Sequence, residues 1–214
     1  MNRISIFLLI YIVLSFQNVF SNTQLPNSTV KLVPEHTEVK TETPFWVAID
    51  IGLPKGWHTY WKNPGDTGLA PRIEWESPKG ISSSKLLYPT PSKITTSGLV
   101  SFGYYHRAIF LQQLRIPATD KSEIPLKGTL HWLICEKACY PVTTSIETKL
   151  SIRDIPSTPS QKSNLYFKTA RLLLPRQDMP EIYGKTDGKS IVLEMIPPRN
   201  DINSVCVFPL SNQI

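Results

Sequence analysis

The sequence predicts an all-β fold: an antiparallel β-sandwich followed by an incomplete second unit of α+β or β type. Proline supplies 19 of the 214 residues, about 9% against a usual ~5%, and helix interiors exclude it because it lacks an N–H and clashes with the preceding turn. Short segments of alternating polarity recur along the chain with Pro- and Gly-rich punctuation between them, the pattern of stacked antiparallel strands. A content of 41% hydrophobic and 19% charged residues excludes disorder for most of the chain.

The first residues read as a targeting segment. Arg3 is the only charge in the first 21 positions and precedes the apolar stretch Ile4 to Phe16, a charged region followed by a hydrophobic one. Val19-Phe20-Ser21 places a small residue at the cut, so residues 1–21 are expected to be a signal peptide cleaved after Ser21; the alternative is an uncleaved anchor helix. Beyond Ser21 no apolar run approaches the ~18 residues a spanning helix needs. Export, with signal removal, is the expectation.

Phe45 to Leu53 alternates, with Phe45, Val47, Ile49 and Ile51 on one face of a half-buried strand. Further strands are expected at Thr59 to Lys62, Arg72 to Trp75, Lys85 to Tyr88, Ala108 to Ile116, Leu126 to Ile134 and Thr143 to Ile152. Turn clusters at 63–66, 77–80 and 89–91 separate them. The run Ile155-Pro-Ser-Thr-Pro-Ser-Gln161 changes composition abruptly, so the expected division is a sandwich over 22–154, a linker over 155–161 and a partial unit over 162–214. In that last unit Ser163 is expected to cap a helix carrying Leu165, Phe167, Ala170, Arg171 and Leu174 up to Pro175. Ser190 to Ile196 and Val205 to Phe208 read as strands. Some 55 residues bury too little surface for an independent core.

The net charge of +6, from 23 basic and 17 acidic side chains, is scattered without a basic run or helix face. Nucleic acid is therefore not an expected partner. No G-x-S-x-G elbow, H-E-x-x-H, phosphate-binding loop or C-x-x-C pair occurs, so the common hydrolytic and nucleotide-binding chemistries lack support. The aromatics of Trp57-His58-Thr59-Tyr60-Trp61 suit a ligand platform or the core of a sandwich equally.

The three cysteines carry the most chemistry, since an oxidising compartment lets disulfides persist. The simplest arithmetic pairs Cys135 with Cys139 and leaves Cys206 as an odd, unpaired thiol. A disulfide needs Cα atoms ~4.4–6.8 Å apart, whereas four residues of strand span about 13 Å, so the chain must turn between them. The flanking strand patterns suggest a hairpin with Glu136-Lys137-Ala138 in its loop. A loop this short stabilises by only about 2 kcal/mol, and exposed or strained bonds tend to be the exchangeable ones. Redox function and a minor structural clip both remain open on spacing alone. A cation such as Lys137 favours a neighbouring thiolate and an anion such as Glu136 disfavours it, so local charge does not decide. A third reading, zinc or copper held by His131, Cys135 and Cys139, requires a helix, whereas the segment sits between strand patterns. His36, His58 and His106 read as ordinary isolated histidines.

Four segments, in order, resemble a known family: Gly56-Trp-His-Thr-Tyr-Trp-Lys-Asn-Pro-Gly-Asp-Thr-Gly-Leu-Ala-Pro71, Tyr88-Pro-Thr-Pro91, Gly103-Tyr104 and Trp132-Leu-Ile-Cys-Glu-Lys-Ala-Cys-Tyr-Pro141. They resemble the amino-terminal periplasmic domain of the DsbD family of protein-disulfide reductases, and most closely its ScsB-like branch, over about residues 30 to 155. The resemblance implies an immunoglobulin-like domain in the periplasm whose catalytic pair, Cys135 and Cys139, relays electrons to oxidised thioredoxin-like proteins without cofactor or metal. It further implies that Tyr60 lies near the pair and that Phe102 shields it as the aromatic of a cap loop. By the same likeness Cys139 exchanges with the partner and Cys135 resolves, with Tyr140-Pro141 bending the chain so that the sulfur of Cys139 reaches the loop's outer edge. Family members continue into membrane helices and a thioredoxin-like domain that this sequence lacks. The expectation is thus a truncated, split or stand-alone product that draws electrons from a separate membrane electron-transfer protein. The rival expectation is a redox-inert immunoglobulin-like binding domain or degenerate fragment.

Overall fold

The computed structural model describes residues 26–156, 158–175, 182–186, 188, 190–195 and 208–210. The expected signal peptide, Cys206 and all but the last residue of the strand expected over Val205 to Phe208 lie outside them. Strand patterning accounts for most of what forms. One sheet has the order β1-β3-β9-β6, built from β1 (Thr29–Pro34), β3 (Phe45–Gly52), β9 (Arg107–Arg115) and β6 (Ser82–Ser83). The other has the order β2-β11-β10-β4-β8-β7, with β5 also on β10. Its strands are β2 (Glu38–Val39), β11 (Cys139–Ile152), β10 (Glu123–Cys135), β4 (His58–Gly65), β8 (Leu99–Tyr105), β7 (Ser92–Thr96) and β5 (Arg72–Ser77). All pairings are antiparallel except β2 with β11.

The core lies between the sheets because the inward-facing positions of both are apolar. Ile49, Ile51 and Phe110 from the first sheet meet Trp61, Phe102, Tyr104, Leu130, Trp132 and Ile134 from the second. A neighbouring cluster of Val47, Leu114, Ile116, Leu126 and Leu150 extends it. Strand β3 is buried along nearly its whole length, more than a half-buried strand requires, because its outer face is covered too. The cover is helix α1 (Gln161–Leu172), whose fully buried Phe167 and Ala170 pack on Ala48, Ile109 and Leu111.

Ionic and hydrogen-bonded groups rim that contact. Arg171 makes a two-pronged pair with Glu35 at 2.8 and 2.7 Å. Asp50 accepts from Arg107 at 2.8 and 2.6 Å and from the Tyr166 hydroxyl at 3.0 Å. The helix begins one turn earlier than the sequence suggested: Ser160 is the cap, its hydroxyl accepting from the N–H of Ser163, while the Ser163 hydroxyl donates to the carbonyl of Glu35. Beyond α1, β12 (Ile182–Thr186) and β13 (Ile191–Met195) form an antiparallel hairpin.

Two local expectations change. Lys85 to Tyr88 forms only a bridge between Leu87 and Leu111, since Pro89 and Pro91 close off the donors a longer ladder needs. The turn expected at 63–66 is instead the irregular end of β4, whose pairing to β8 shifts between Tyr60 and Gly65.

Candidate functional site

The two longest strands, β10 and β11, pair without a break from Glu123–Ser151 to Cys135–Cys139. A hairpin this regular ends with its last pair facing across the neck, and the last pair is the two cysteines. They form a disulfide with Cα atoms 4.2 Å apart, closed over Glu136, Lys137 and Ala138. Pro141 sits inside β11 opposite Leu133. It is tolerated because this stretch of β11 is a sheet edge, where no neighbour needs its N–H. The bend expected at Tyr140-Pro141 is therefore absent, and the position of Cys139 follows from the hairpin end alone.

The two cysteines have unequal surroundings. Cys135 is 1% exposed, whereas Cys139 is exposed with the three loop residues before it. Along β10 every second residue from Ile124 to Ile134 is buried, so Cys135 breaks the alternation and is covered on the outer face. Its neighbour across the ladder is His58, the first residue of β4.

Strand alternation on β4 sends Trp61 into the core and leaves His58 and Tyr60 on the opposite face. Both are nonetheless buried. The His58 ring stands edge-on to Tyr60, with centroids 5.3 Å apart, and to Tyr105 at 5.6 Å. The Tyr60 hydroxyl lies 3.2 Å from Cys139 Sγ. Burial holds the His58 imidazole below its ordinary pKa, so it is neutral at pH 7. Burial also pushes the Tyr60 phenol up, with a hydrogen bond from Thr67 pulling the other way and Tyr105 adding a smaller upward push. Tyr60 thus remains a protonated donor. Trp57 and Tyr140 stack obliquely at 6.0 Å beside the hairpin neck, and the Glu136 carboxylate lies over Gly56.

The structure brings Cys135, Cys139 and Tyr60 together. Phe102 takes another place: it lies on β8 facing the core, its ring against Trp61 at 6.4 Å and Phe208 at 5.4 Å. The turn that covers Tyr60 is residues 65–68, where the backbone at Gly68 crosses the ring. His58 and Gly68 were not singled out by sequence reasoning; the G-D-T-G run next to a buried aromatic strand was the available signal. His131 sits four residues from Cys135 along extended β10, with Thr143 3.4 Å and Glu74 3.8 Å from its ring nitrogens. It does not converge with the cysteines as a metal site requires.

The arrangement suits thiol-disulfide chemistry: one cysteine exposed at the hairpin end, one buried beside it, and a phenol able to donate to the sulfur of the exposed one. A family model described as "Thiol:disulfide interchange protein DsbD, N-terminal" matches residues 29–151. Among solved structures, the N-terminal periplasmic domain of ScsB from Proteus mirabilis is similar with a TM-score of 0.63 at 18% identity, over 84% of this chain and 68% of that one. The reduced N-terminal domain of DsbD from Neisseria meningitidis aligns with a TM-score of 0.41 at 15% identity, over 65% of this chain and 98% of that one. No curated protein matches the chain. The fold is an immunoglobulin-like sandwich, as in the ScsB domain.

Proposed function

The chain belongs to the family of DsbD amino-terminal domains, and from that premise we propose that it is a periplasmic thiol-disulfide exchange module acting through Cys135 and Cys139. The observation that carries this reading is the asymmetry of the pair: Cys139 is exposed beside the Tyr60 hydroxyl while Cys135 is enclosed.

The electrons balance without metal or cofactor. In the reduced module the Cys139 thiolate attacks one sulfur of an oxidised thioredoxin-like partner, forming a mixed disulfide and releasing the partner's other sulfur as a thiolate. Cys135, deprotonated, then attacks Cys139 Sγ and expels the partner's remaining thiolate. Two electrons pass to the partner, and the module is left with the 135–139 disulfide. A dithiol donor, supplied by a thioredoxin-like protein or a separate membrane electron-transfer protein, reduces it again by the reverse steps. Tyr60 assists by donating to whichever charge develops on Cys139.

Trapping tests the assignment. Cys135→Ser removes the resolving thiol, so incubation with an oxidised thioredoxin-like protein should accumulate a covalent complex on a non-reducing gel. Cys139→Ser should accumulate none. The opposite pattern would swap the roles, and no complex with either variant would favour a redox-inert clip.

A further inference from the structure

We propose that the turn over residues 65–68 is a fixed bracket and that Gly68 is a positioning residue, holding the Tyr60 hydroxyl against Cys139 Sγ. The proposal rests on the exchange reading for its purpose, but its geometry stands alone. A Cβ at Gly68 would fall 2.3 to 2.5 Å from Cε1, Cζ and Cδ1 of Tyr60, and Gly68 has φ +102°. Only a glycine permits both this backbone conformation and this approach to the ring. The ring is held from the strand side by the His58 edge at 5.3 Å.

The bracket itself is pinned to β8. The Asp66 N–H donates to the Val100 carbonyl at 2.9 Å, and the Asp66 carboxylate accepts from the Val100 N–H at 2.8 Å. The hydroxyls of Thr67 and Ser101 are 2.8 Å apart. The Gly65 N–H donates to the Asn63 side chain at 3.2 Å. A turn tied down at three successive residues fixes the ring beneath it, and the ring fixes the hydroxyl. Preorganised in this way, the phenol spends no rotamer freedom when a thiolate forms on Cys139.

The test reads the thiol directly. In the full-length chain carrying Cys135→Ser and Cys206→Ser, Cys139 is the sole thiol, and its iodoacetamide alkylation is followed against pH. Tyr60→Phe should move the profile to higher pH and slow alkylation at pH 7 by roughly three- to tenfold, since a lost donor to the charged form is partly offset by greater nucleophilicity. Gly68→Ala should move it in the same direction, yet add nothing in the Tyr60→Phe background. Gly98→Ala is the control for backbone strain: Gly98 has φ +82° and nothing within 4 Å of its would-be Cβ, so the profile should stay in place. An unmoved profile in Gly68→Ala, full additivity with Tyr60→Phe, or an equal shift in Gly98→Ala would overturn the proposal. Should Gly68→Ala fail to fold, Ser101→Ala removes a pin without adding bulk, and an unmoved profile there overturns it likewise. Failure of the exchange reading shows separately, as absent covalent trapping with the thiol shifts intact.

Discussion

His58 and Tyr60 are polar rings buried beside the disulfide, and burial moves their protonation equilibria in opposite directions, both toward the neutral form. For His58 the consequence is a pH dependence of stability. Its folded pKa lies below the ordinary 6.5, so as pH falls through that value the unfolded chain takes up a proton that the folded chain refuses, and stability is lost toward acid. His58→Phe should therefore lose less stability than the parent between pH 7 and pH 5; urea midpoints at the two pH values check this, and equal losses would contradict it. The cysteine pair was legible from spacing and the flanking strand patterns, whereas Tyr60 became legible only through the family resemblance. His58 read as an ordinary histidine because its distant neighbours, Tyr105 on β8 and Cys135 at the end of β10, lie far along the chain and leave no period in the sequence. Phe102 read as a shield because its neighbours match a family segment, but on β8 it alternates with Gly103 and so shares the inward face with Tyr104.

At the scale of elements, β3, β9, β10 and β11 were legible because apolar residues dominate their inward faces at period two, with Gln112, Gly128, Thr144 and Thr148 as the interruptions. Strands β7 and β8 were not: Ser92–Thr96 offers one buried residue, Ile94, and β8 mixes serine, glycine and aromatics between turns. Helix α1 was legible from its apolar spacing, but not its docking on the outer face of β3 and β9. That docking makes a prediction about Phe167, which is fully buried against Ala48, Ile109 and Leu111. Phe167→Ala should cost about 3 kcal/mol or more in urea unfolding, the range for truncating a buried aromatic. Leu165→Ala, at a position 65% exposed on the same helix, should cost far less. Comparable losses at the two positions would mean that the helix is not seated as described.

At the scale of the whole molecule, residues beyond the expected linker contribute to the sandwich. Ending the chain at Pro156 would uncover Ala48, Ile109 and Leu111 and strand Glu35 and Asp50 without Arg171 and Tyr166. Such a chain should melt about 5–10 °C below the full one by calorimetry, given roughly 2–4 °C per kcal/mol at this size; an unchanged midpoint would show that the helix adds nothing. The boundary proposed at 155–161 then marks exposed chain that a protease can nick at Ile155, 88% exposed, with the helix expected to stay bound in gel filtration. The central claim is that the bond at the end of the β10–β11 hairpin is made to be exchanged. Its reduction potential, measured by equilibration with a series of thiol buffers, tests this most directly. Exchange predicts a value above about −300 mV, within reach of periplasmic thiol partners; a value below that would mark a bond that such partners leave closed, and would contradict the account.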